Sequence, residues 1–256
     1  MRIGCCISPE NADLAAEAGY DYFEPAVGLI RPESPDSEFE QVHEAIYQAE
    51  IVPEAWNCLL PPEMKIVGPE VDSYRIERYL RTAFHRIGEL GGEIVVAGSA
   101  DARRVPNGFP MDEARDQLAE FLTLCGQVAG PNGITVAVEP LNTTETNIIN
   151  SVPEGLEMVR RVNHPFVKLV VDFYHMMADG QPLEDIVAAK DELVHVHIAD
   201  SGRARPGGGD WPIGKFIELL KEIGYDERVS IECRWDDFPM ECVEAIGYLR
   251  GFVGAI

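Results

Sequence analysis

The sequence has few basic residues and no long apolar run. It contains 21 lysines and arginines against 44 aspartates and glutamates, which gives a formal net charge of −23. Because such a chain repels phosphate backbones and no basic stripe offsets the charge, we expect no nucleic-acid partner. No stretch reaches the about 18 apolar residues that a membrane span needs, so we expect no membrane partner. Residues 1–7 indicate a strand and not a signal peptide, which predicts a cytoplasmic protein.

Cysteine pairs with metal-binding spacing are also missing. The six cysteines include no Cys-x2-Cys pair, and several lie in apolar runs, where a free thiol behaves as a small hydrophobic group. This pattern is typical of reduced, buried thiols in a cytosolic protein. No linker, low-complexity tract or charge block divides the 256 residues, and α/β barrels reach this length as one domain. We therefore predict a single domain over residues 1–256.

Short apolar runs alternate with helical patterns along the chain. This alternation indicates a parallel sheet with connecting helices. The predicted strands cover residues 2–7, 20–24, 51–57, 93–99, 134–139, 167–172, 193–198 and 229–232. The predicted helices cover residues 9–19, 38–50, 71–90, 111–129, 152–162, 182–190, 212–223 and 239–253. This series indicates an α/β fold, and a single (β/α)8 TIM barrel is favoured because an open sheet could leave Glu139 of the fifth strand and Glu232 of the eighth too far apart to share a site.

Four predicted strands carry a side chain that can bind a metal at or near their C-terminal end. These residues are Glu139, Asp172, His197 and Glu232. They recur about every 30 residues, which is the length of one βαβ unit. In a barrel the C-terminal strand ends meet at one mouth, where active sites are built. Three carboxylates and one imidazole suit Mn2+, Mg2+ or Co2+ better than an ion that prefers thiolates.

Three further positions at the predicted mouth have open interpretations. Glu24 ends the second strand and is either an ion-paired rim residue or a contact to the substrate or the metal ligands. His195 shares a strand face with His197, so only one of them is expected to bind a metal directly. Gly98 and Ser99 end the fourth strand, where the missing side chain of glycine would allow the backbone to approach a ligand closely.

Four motifs surround these residues in the second half of the chain. They are Glu139-Pro-Leu-Asn-x-x-Glu145, Val171-Asp-Phe-Tyr-His175, His195-Val-His-Ile-Ala-Asp200 with Arg203 after it, and Ser230-Ile-Glu232. Together they resemble motifs of the xylose-isomerase-like TIM-barrel superfamily of sugar isomerases and epimerases. The first is most similar to the ketose 3-epimerase and hydroxypyruvate isomerase branch. The resemblance is specific over the C-terminal half and extends to the N-terminal half only in general layout.

This resemblance implies roles for the four strand-end residues. Glu139, Asp172, His197 and Glu232 would bind one divalent ion, with Mn2+ favoured over Mg2+ and Co2+. Glu139 and Glu232 would also be the acid/base pair on opposite faces of a bound sugar. A proton on the carbon next to a carbonyl is weakly acidic, and a metal can stabilise the enediolate that forms when it leaves.

The resemblance also implies the substrate contacts and the reaction. His175 and Arg203 would hold a terminal oxygen of the sugar, and Glu145 would bind the same end. The implied activity is metal-dependent isomerisation or epimerisation of a small ketose or related hydroxy-carbonyl compound. The expected partner is this sugar, and a homo-oligomer is left open because relatives often form dimers or tetramers.

Two other functions would use similar ligands. A metal-dependent dehydratase or lyase of the same superfamily, similar to inosose dehydratase, would change the base or the product. A zinc repair endonuclease is disfavoured, because the loop after His197 lacks an Asp-x-His motif and the charge is wrong for DNA. The residues do not name the sugar or the reacting carbon. The acidic balance and the lack of a phosphate-binding Gly-rich loop favour an unphosphorylated substrate.

Overall fold

Eight parallel strands form the sheet at the centre of the molecule. The computed structural model describes residues 1–254, so residues 255 and 256 of the predicted domain lie outside it. Within that range the strands are β1 Arg2–Cys6, β2 Tyr22–Glu24, β3 Ala55–Trp56, β4 Ile94–Ala97, β5 Thr135–Val138, β6 Val167–Asp172, β7 Leu193–Ile198 and β8 Arg228–Ile231. Their order is β2-β1-β8-β7-β6-β5-β4-β3.

The two outer strands of this order meet and nearly close the sheet into a barrel. Asn57, directly after β3, forms a parallel bridge with Ala26, which follows β2. Its N–H donates to the carbonyl of Pro25 at 3.1 Å, and its own carbonyl accepts from the N–H of Val27 at 2.9 Å. The predicted (β/α)8 TIM barrel is therefore confirmed.

Helices connect the strands on the outside of the barrel. They are α1 Ala12–Ala18, α2 Asp36–Tyr47, α3 Ser73–Glu89, α4 Ala100–Arg103, α5 Met111–Ala129, α6 Val152–Val162, α7 Phe173–Ala178, α8 Ile213–Glu222 and α9 Phe238–Val253. The side chain of Asp72 caps α3 by accepting from the N–H of Arg75, and Gly19 ends α1 with a φ of +96°. In the described part of the chain, no helix is both long and apolar enough to cross a membrane.

Three local predictions differ from the structure. β3 is much shorter than the predicted strand 51–57, because Pro53 has no N–H to give to a neighbouring strand. The predicted helix 182–190 is a 3-10 helix at Leu183–Ala189. The short helices α4 and α7 were not predicted, because so few residues give no clear helical period.

The strand pairing aligns the C-terminal ends at one mouth. Asp172 of β6 pairs with His197 of β7, and His197 pairs with Ser230 of β8. Glu139 and Glu232 follow directly after the paired parts of β5 and β8. The register therefore places the predicted site residues at the same end of the barrel.

Candidate active site

The mouth of the barrel brings together the carboxylates that the sequence predicted. One oxygen each from Glu139, Asp172 and Glu232 and one ring nitrogen of His175 lie within 4.8 Å of one another. His197 reaches the same group, since its Nδ1 is 3.0 Å from Glu139 Oε1 and 3.7 Å from Glu232 Oε2. Three acidic groups and two imidazoles therefore share one small volume.

Asp172 has an unpaired oxygen in this group. Its Oδ1 accepts from the N–H of Tyr174 at 2.6 Å, which caps the start of α7. Its Oδ2 is buried and has no hydrogen-bond partner among residues 1–254. A buried polar atom without a partner is costly, so it needs a specific explanation. This oxygen, together with the neighbouring carboxylates and imidazole, fits a divalent cation.

Glu139 and Glu232 have pKa values that shift in opposite directions. Burial raises the pKa of Glu139, but the hydrogen bond and charge of His197 outweigh burial, and the pKa lies below its usual range. For Glu232, burial and the charges of Glu139 and Asp172 outweigh His197 and raise the pKa to about 7. One carboxylate is therefore charged while the other can hold a proton near neutral pH, an arrangement suited to acid/base chemistry.

The predicted substrate-binding residues line the same mouth. Arg203 donates to Glu145 Oε1 at 3.2 Å and to Glu232 Oε2 at 2.5 Å. Its guanidinium also lies 4.9 Å from the centre of the Tyr174 ring. His175 Nδ1 is 3.9 Å from Glu145 Oε1. All three predicted residues, Glu145, His175 and Arg203, are therefore close enough to contact one small molecule.

Asn142 shapes the turn after β5 and also contacts His175. Its Oδ1 does accept from the N–H groups of Thr144 at 3.0 Å and Glu145 at 3.2 Å. Its backbone N–H also donates to His175 Nδ1 at 3.3 Å, and its side-chain amide lies 2.8 Å from the same nitrogen. Because Nδ1 accepts, the ring proton of His175 is on Nε2, which faces Asp172. The only sign of this contact in the sequence is the place of Asn142 in its motif.

Glu24 lies deep behind the mouth and not at the rim. It is completely buried, with Oε1 2.8 Å from His197 Nε2 and Oε2 2.9 Å from His195 Nε2. Burial raises its pKa, but the charges and hydrogen bonds of the two histidines outweigh burial, and the pKa lies below its usual range. The sequence signal for Glu24 was a carboxylate at a strand end, as for the other acidic residues of the mouth.

A cavity of about 290 Å³ opens above these residues. Its walls include Cys58 and Ser99 as well as the carboxylates of Glu139, Glu145 and Glu232. Ligand sites usually have about 300–1,000 Å³, so this cavity suits a small molecule.

Known proteins are similar to this chain over most of its length. A family model described as xylose isomerase-like TIM barrel matches residues 12–251. The chain is 29% identical over 223 residues to L-ribulose 3-epimerase of Methylomonas sp. strain DH-1, which covers 85% of this chain and 75% of that protein. It is 30% identical over 185 residues to 3-dehydro-D-guloside 4-epimerase of Escherichia coli K12, which covers 69% of each. The structure of D-allulose 3-epimerase from Methylomonas sp. with D-allulose matches with a TM-score of 0.85 at 24% identity, over 98% of this chain and 97% of that one.

Proposed function

This chain belongs to the xylose isomerase-like TIM barrel family, and on that premise we propose that it is a divalent-metal-dependent epimerase of a small free ketose. The resemblance seen in the four motifs is confirmed at the level of the family. The relatives are named as sugar epimerases and isomerases, and the chain is an enzyme of this class. The proposal depends most on one observation: Glu139 and Glu232, whose pKa values shift in opposite directions, face one cavity.

The proposed ligands of the ion are Glu139, Asp172, His197 and Glu232. The choice between the two histidines depends on their ring protons. Glu24 holds a proton on Nε2 of His197, so a bound ion would replace the Nδ1 proton that hydrogen-bonds Glu139 in this structure, and the Nδ1 lone pair would then be directed at the ion. His175 instead directs its Nε2–H at the carboxylates, because its Nδ1 accepts from Asn142. When bound, the ion would stabilise the negative charge that develops on the substrate oxygens.

The two glutamates move the proton in this proposal. Glu139 is charged and accepts the proton from the carbon next to the carbonyl, which leaves an enediolate. Glu232 supplies a proton to the other face of that carbon, and the configuration inverts. Because β6 and β7 lie between β5 and β8, the two carboxylates approach the cavity from different sides. In the reverse direction the two residues exchange roles.

The proposed contacts at the other end of the sugar are one carboxylate and two hydrogen-bond donors. Glu145 accepts hydrogen bonds from sugar hydroxyls, while Arg203 and the Nε2–H of His175 donate to sugar oxygens. Glu139, Glu145 and Glu232 all line the cavity, so a phosphate there would meet like charges. A neutral, unphosphorylated ketose is therefore the proposed substrate.

The test is exchange of carbon-bound hydrogen with solvent. The chain is loaded with Mn2+ and incubated in D2O with a panel of free ketoses and hydroxypyruvate, and NMR locates the deuterium. We expect deuterium at one carbon of the recovered sugar and of its epimer. Glu232→Gln should lower the rate of epimerisation about 10²–10⁴-fold, the usual contribution of acid/base catalysis. Glu227→Gln, the same change at an exposed residue earlier in the chain, should leave it unchanged.

Other outcomes would redirect or overturn the proposal. Consumption of the sugar with loss of water would indicate the dehydratase or lyase alternative. Epimerisation that persists at the full rate in Glu232→Gln would contradict the acid/base pair. No exchange with any member of the panel would overturn the proposed activity.

A further inference from the structure

The buried carboxylate of Glu24, behind the mouth, has hydrogen-bond contacts to three side chains and not to His197 alone. Both oxygens of Glu24 are occupied: Oε1 lies 2.8 Å from His197 Nε2, while Oε2 lies 2.9 Å from His195 Nε2 and accepts from Ser230 Oγ at 2.5 Å. All of these residues are completely buried. Glu24 itself is absent from the walls of the cavity, so it does not contact a substrate there.

The hydroxyl of Ser230 extends this set of bonds across the inside of the barrel. Ser230 Oγ is 2.8 Å from the hydroxyl of Tyr22, which is also completely buried. Residues two apart on a strand share a face, so Tyr22 and Glu24 point to the same side of β2, and Ser230 and Glu232 point to the same side at the end of β8. The Tyr22 ring in turn lies against Gly4 of β1, where a Cβ would come within 2.3 Å of the ring. The orientation of the Glu24 carboxylate is therefore fixed from several strands.

We propose that Glu24 is the positioning residue of the metal site. It holds the His197 ring so that Nδ1 faces Glu139 and Glu232, and Ser230 holds Glu24 in turn. This inference rests on the proposed function, because it takes His197 as a ligand. A carboxylate that accepts from the far nitrogen of a metal-bound histidine fixes the ring orientation and makes the ligand nitrogen more basic.

If the role of Glu24 were purely structural, replacing any similarly buried carboxylate should have the same effect on metal binding. The chain offers such a carboxylate as a matched control. Glu54 is a buried carboxylate at the opposite end of the same barrel, 6% exposed. Its Oε2 accepts from Arg228 Nε at 2.8 Å, and its Oε1 accepts from Arg2. Glu54→Gln therefore changes a carboxylate that is also buried and hydrogen-bonded but lies far from the mouth.

The experiment compares Mn2+ binding by the wild-type chain, Glu24→Gln and Glu54→Gln, with free Mn2+ measured by electron paramagnetic resonance. We expect Glu24→Gln to bind Mn2+ about 10–100-fold more weakly, the usual effect of losing such a partner. Glu54→Gln should bind Mn2+ as tightly as the wild type. Excess Mn2+ should restore most of the kcat that Glu24→Gln loses, a rescue that a general folding defect would not show.

Ser230→Ala gives a graded second test. It removes one hydrogen bond to Glu24 Oε2 and leaves the bond from Oε1 to His197 in place. A smaller loss of Mn2+ affinity than in Glu24→Gln is expected, and this variant decides the question if Glu24→Gln does not fold.

The outcomes separate this inference from the function on which it rests. Mn2+ binding by the wild type with equal affinity in Glu24→Gln and Ser230→Ala would overturn the inference alone. A wild-type chain that binds no Mn2+ would overturn the proposed metal site and this inference together.

Discussion

Both ends of the barrel bury at least one carboxylate, Glu54 at the N-terminal end and Glu139 and Asp172 at the mouth, but they balance the charge of their carboxylates differently. At the N-terminal end, Arg228 donates to Glu54 at 2.8 Å and to Glu93 at 2.5 Å, and Arg2 also pairs with Glu54. Each of these carboxylates therefore has a guanidinium partner. At the mouth, the carboxylates share two histidines and Arg203, and the buried Arg103 lies next to Glu139. Asp172 Oδ2 has no hydrogen-bond partner in the described residues, although His175 Nε2 lies 3.3 Å away.

This difference separates a structural charge network from a binding site. A buried ion pair is tolerated where every charge is matched and hydrogen-bonded. The mouth instead has more negative charge than its histidines and Arg203 balance, and it leaves one oxygen open. A bound cation would balance the charge at the mouth, whereas the carboxylates at the N-terminal end already have guanidinium partners. Three variants can break or sharpen this comparison.

The largest effect is expected from Gly98→Ala. A Cβ at this position, just after β4, would lie 1.7 Å from Glu139 Oε2, so the carboxylate would have to leave its place. The sequence suggested that the backbone here approaches a ligand, but the group that it approaches is the Glu139 side chain. Because a displaced Glu139 cannot accept the proton, we expect kcat to fall about 10²–10⁴-fold. Steady-state epimerisation assays at saturating Mn2+ would measure it.

Gly28→Ala is the control for this change. No atom lies within 4 Å of a Cβ at Gly28, which is part of the 3-10 helix Val27–Ile30. Its kcat should equal that of the wild type. Normal kcat in Gly98→Ala would show that the position of the Glu139 carboxylate does not matter for the reaction.

The next effect is expected at the other end of the barrel, from Arg228→Met. This change keeps an apolar stem but removes the cation shared by Glu54 and Glu93. Breaking a buried pair costs up to about 3–5 kcal/mol of unfolding free energy, and Arg2 limits the loss because it still pairs with Glu54. Urea denaturation would measure this cost, while Mn2+ affinity should not change. A parallel loss of Mn2+ affinity would show that the two ends are not independent.

Strand-end chemistry could be predicted from the sequence because it depends on local pattern. Four apolar runs carry a metal-binding side chain at or near their C-terminal end, and parallel strands in a barrel bring such ends to one mouth. Glu139, Asp172, His197 and Glu232 are placed there by that rule alone. The parallel sheet was also predictable from the alternation of strand and helix patterns, except where Pro53 shortened β3, and closure of the barrel followed from the need to bring Glu139 and Glu232 together.

The contacts between these residues could not be predicted, because they depend on three-dimensional neighbours far apart in the chain. Glu24 and His197 meet only because β2 and β7 face each other across the barrel. The bond from Asn142 to His175 likewise joins the turn after β5 to α7. Which nitrogen of each histidine carries the proton follows from these partners, and no spacing rule supplies it.

The smallest effect is the stabilisation by Mn2+ itself, and it tests the unbalanced charge of the mouth directly. A ligand that binds only the folded chain should raise the unfolding free energy by about 2.7 kcal/mol at about 100 times its Kd. Urea denaturation with Mn2+ and after treatment with EDTA would measure this increment. Arg228→Met should be less stable than the wild type but should gain the same increment from Mn2+, because the substitution lies at the other end of the barrel. Asp172→Asn should lose the increment, since it removes one of the charges that the ion would balance. If Asp172→Asn is still stabilised by Mn2+ as strongly as the wild type, the ion binds elsewhere on this acidic chain, and the excess charge at the mouth has another explanation.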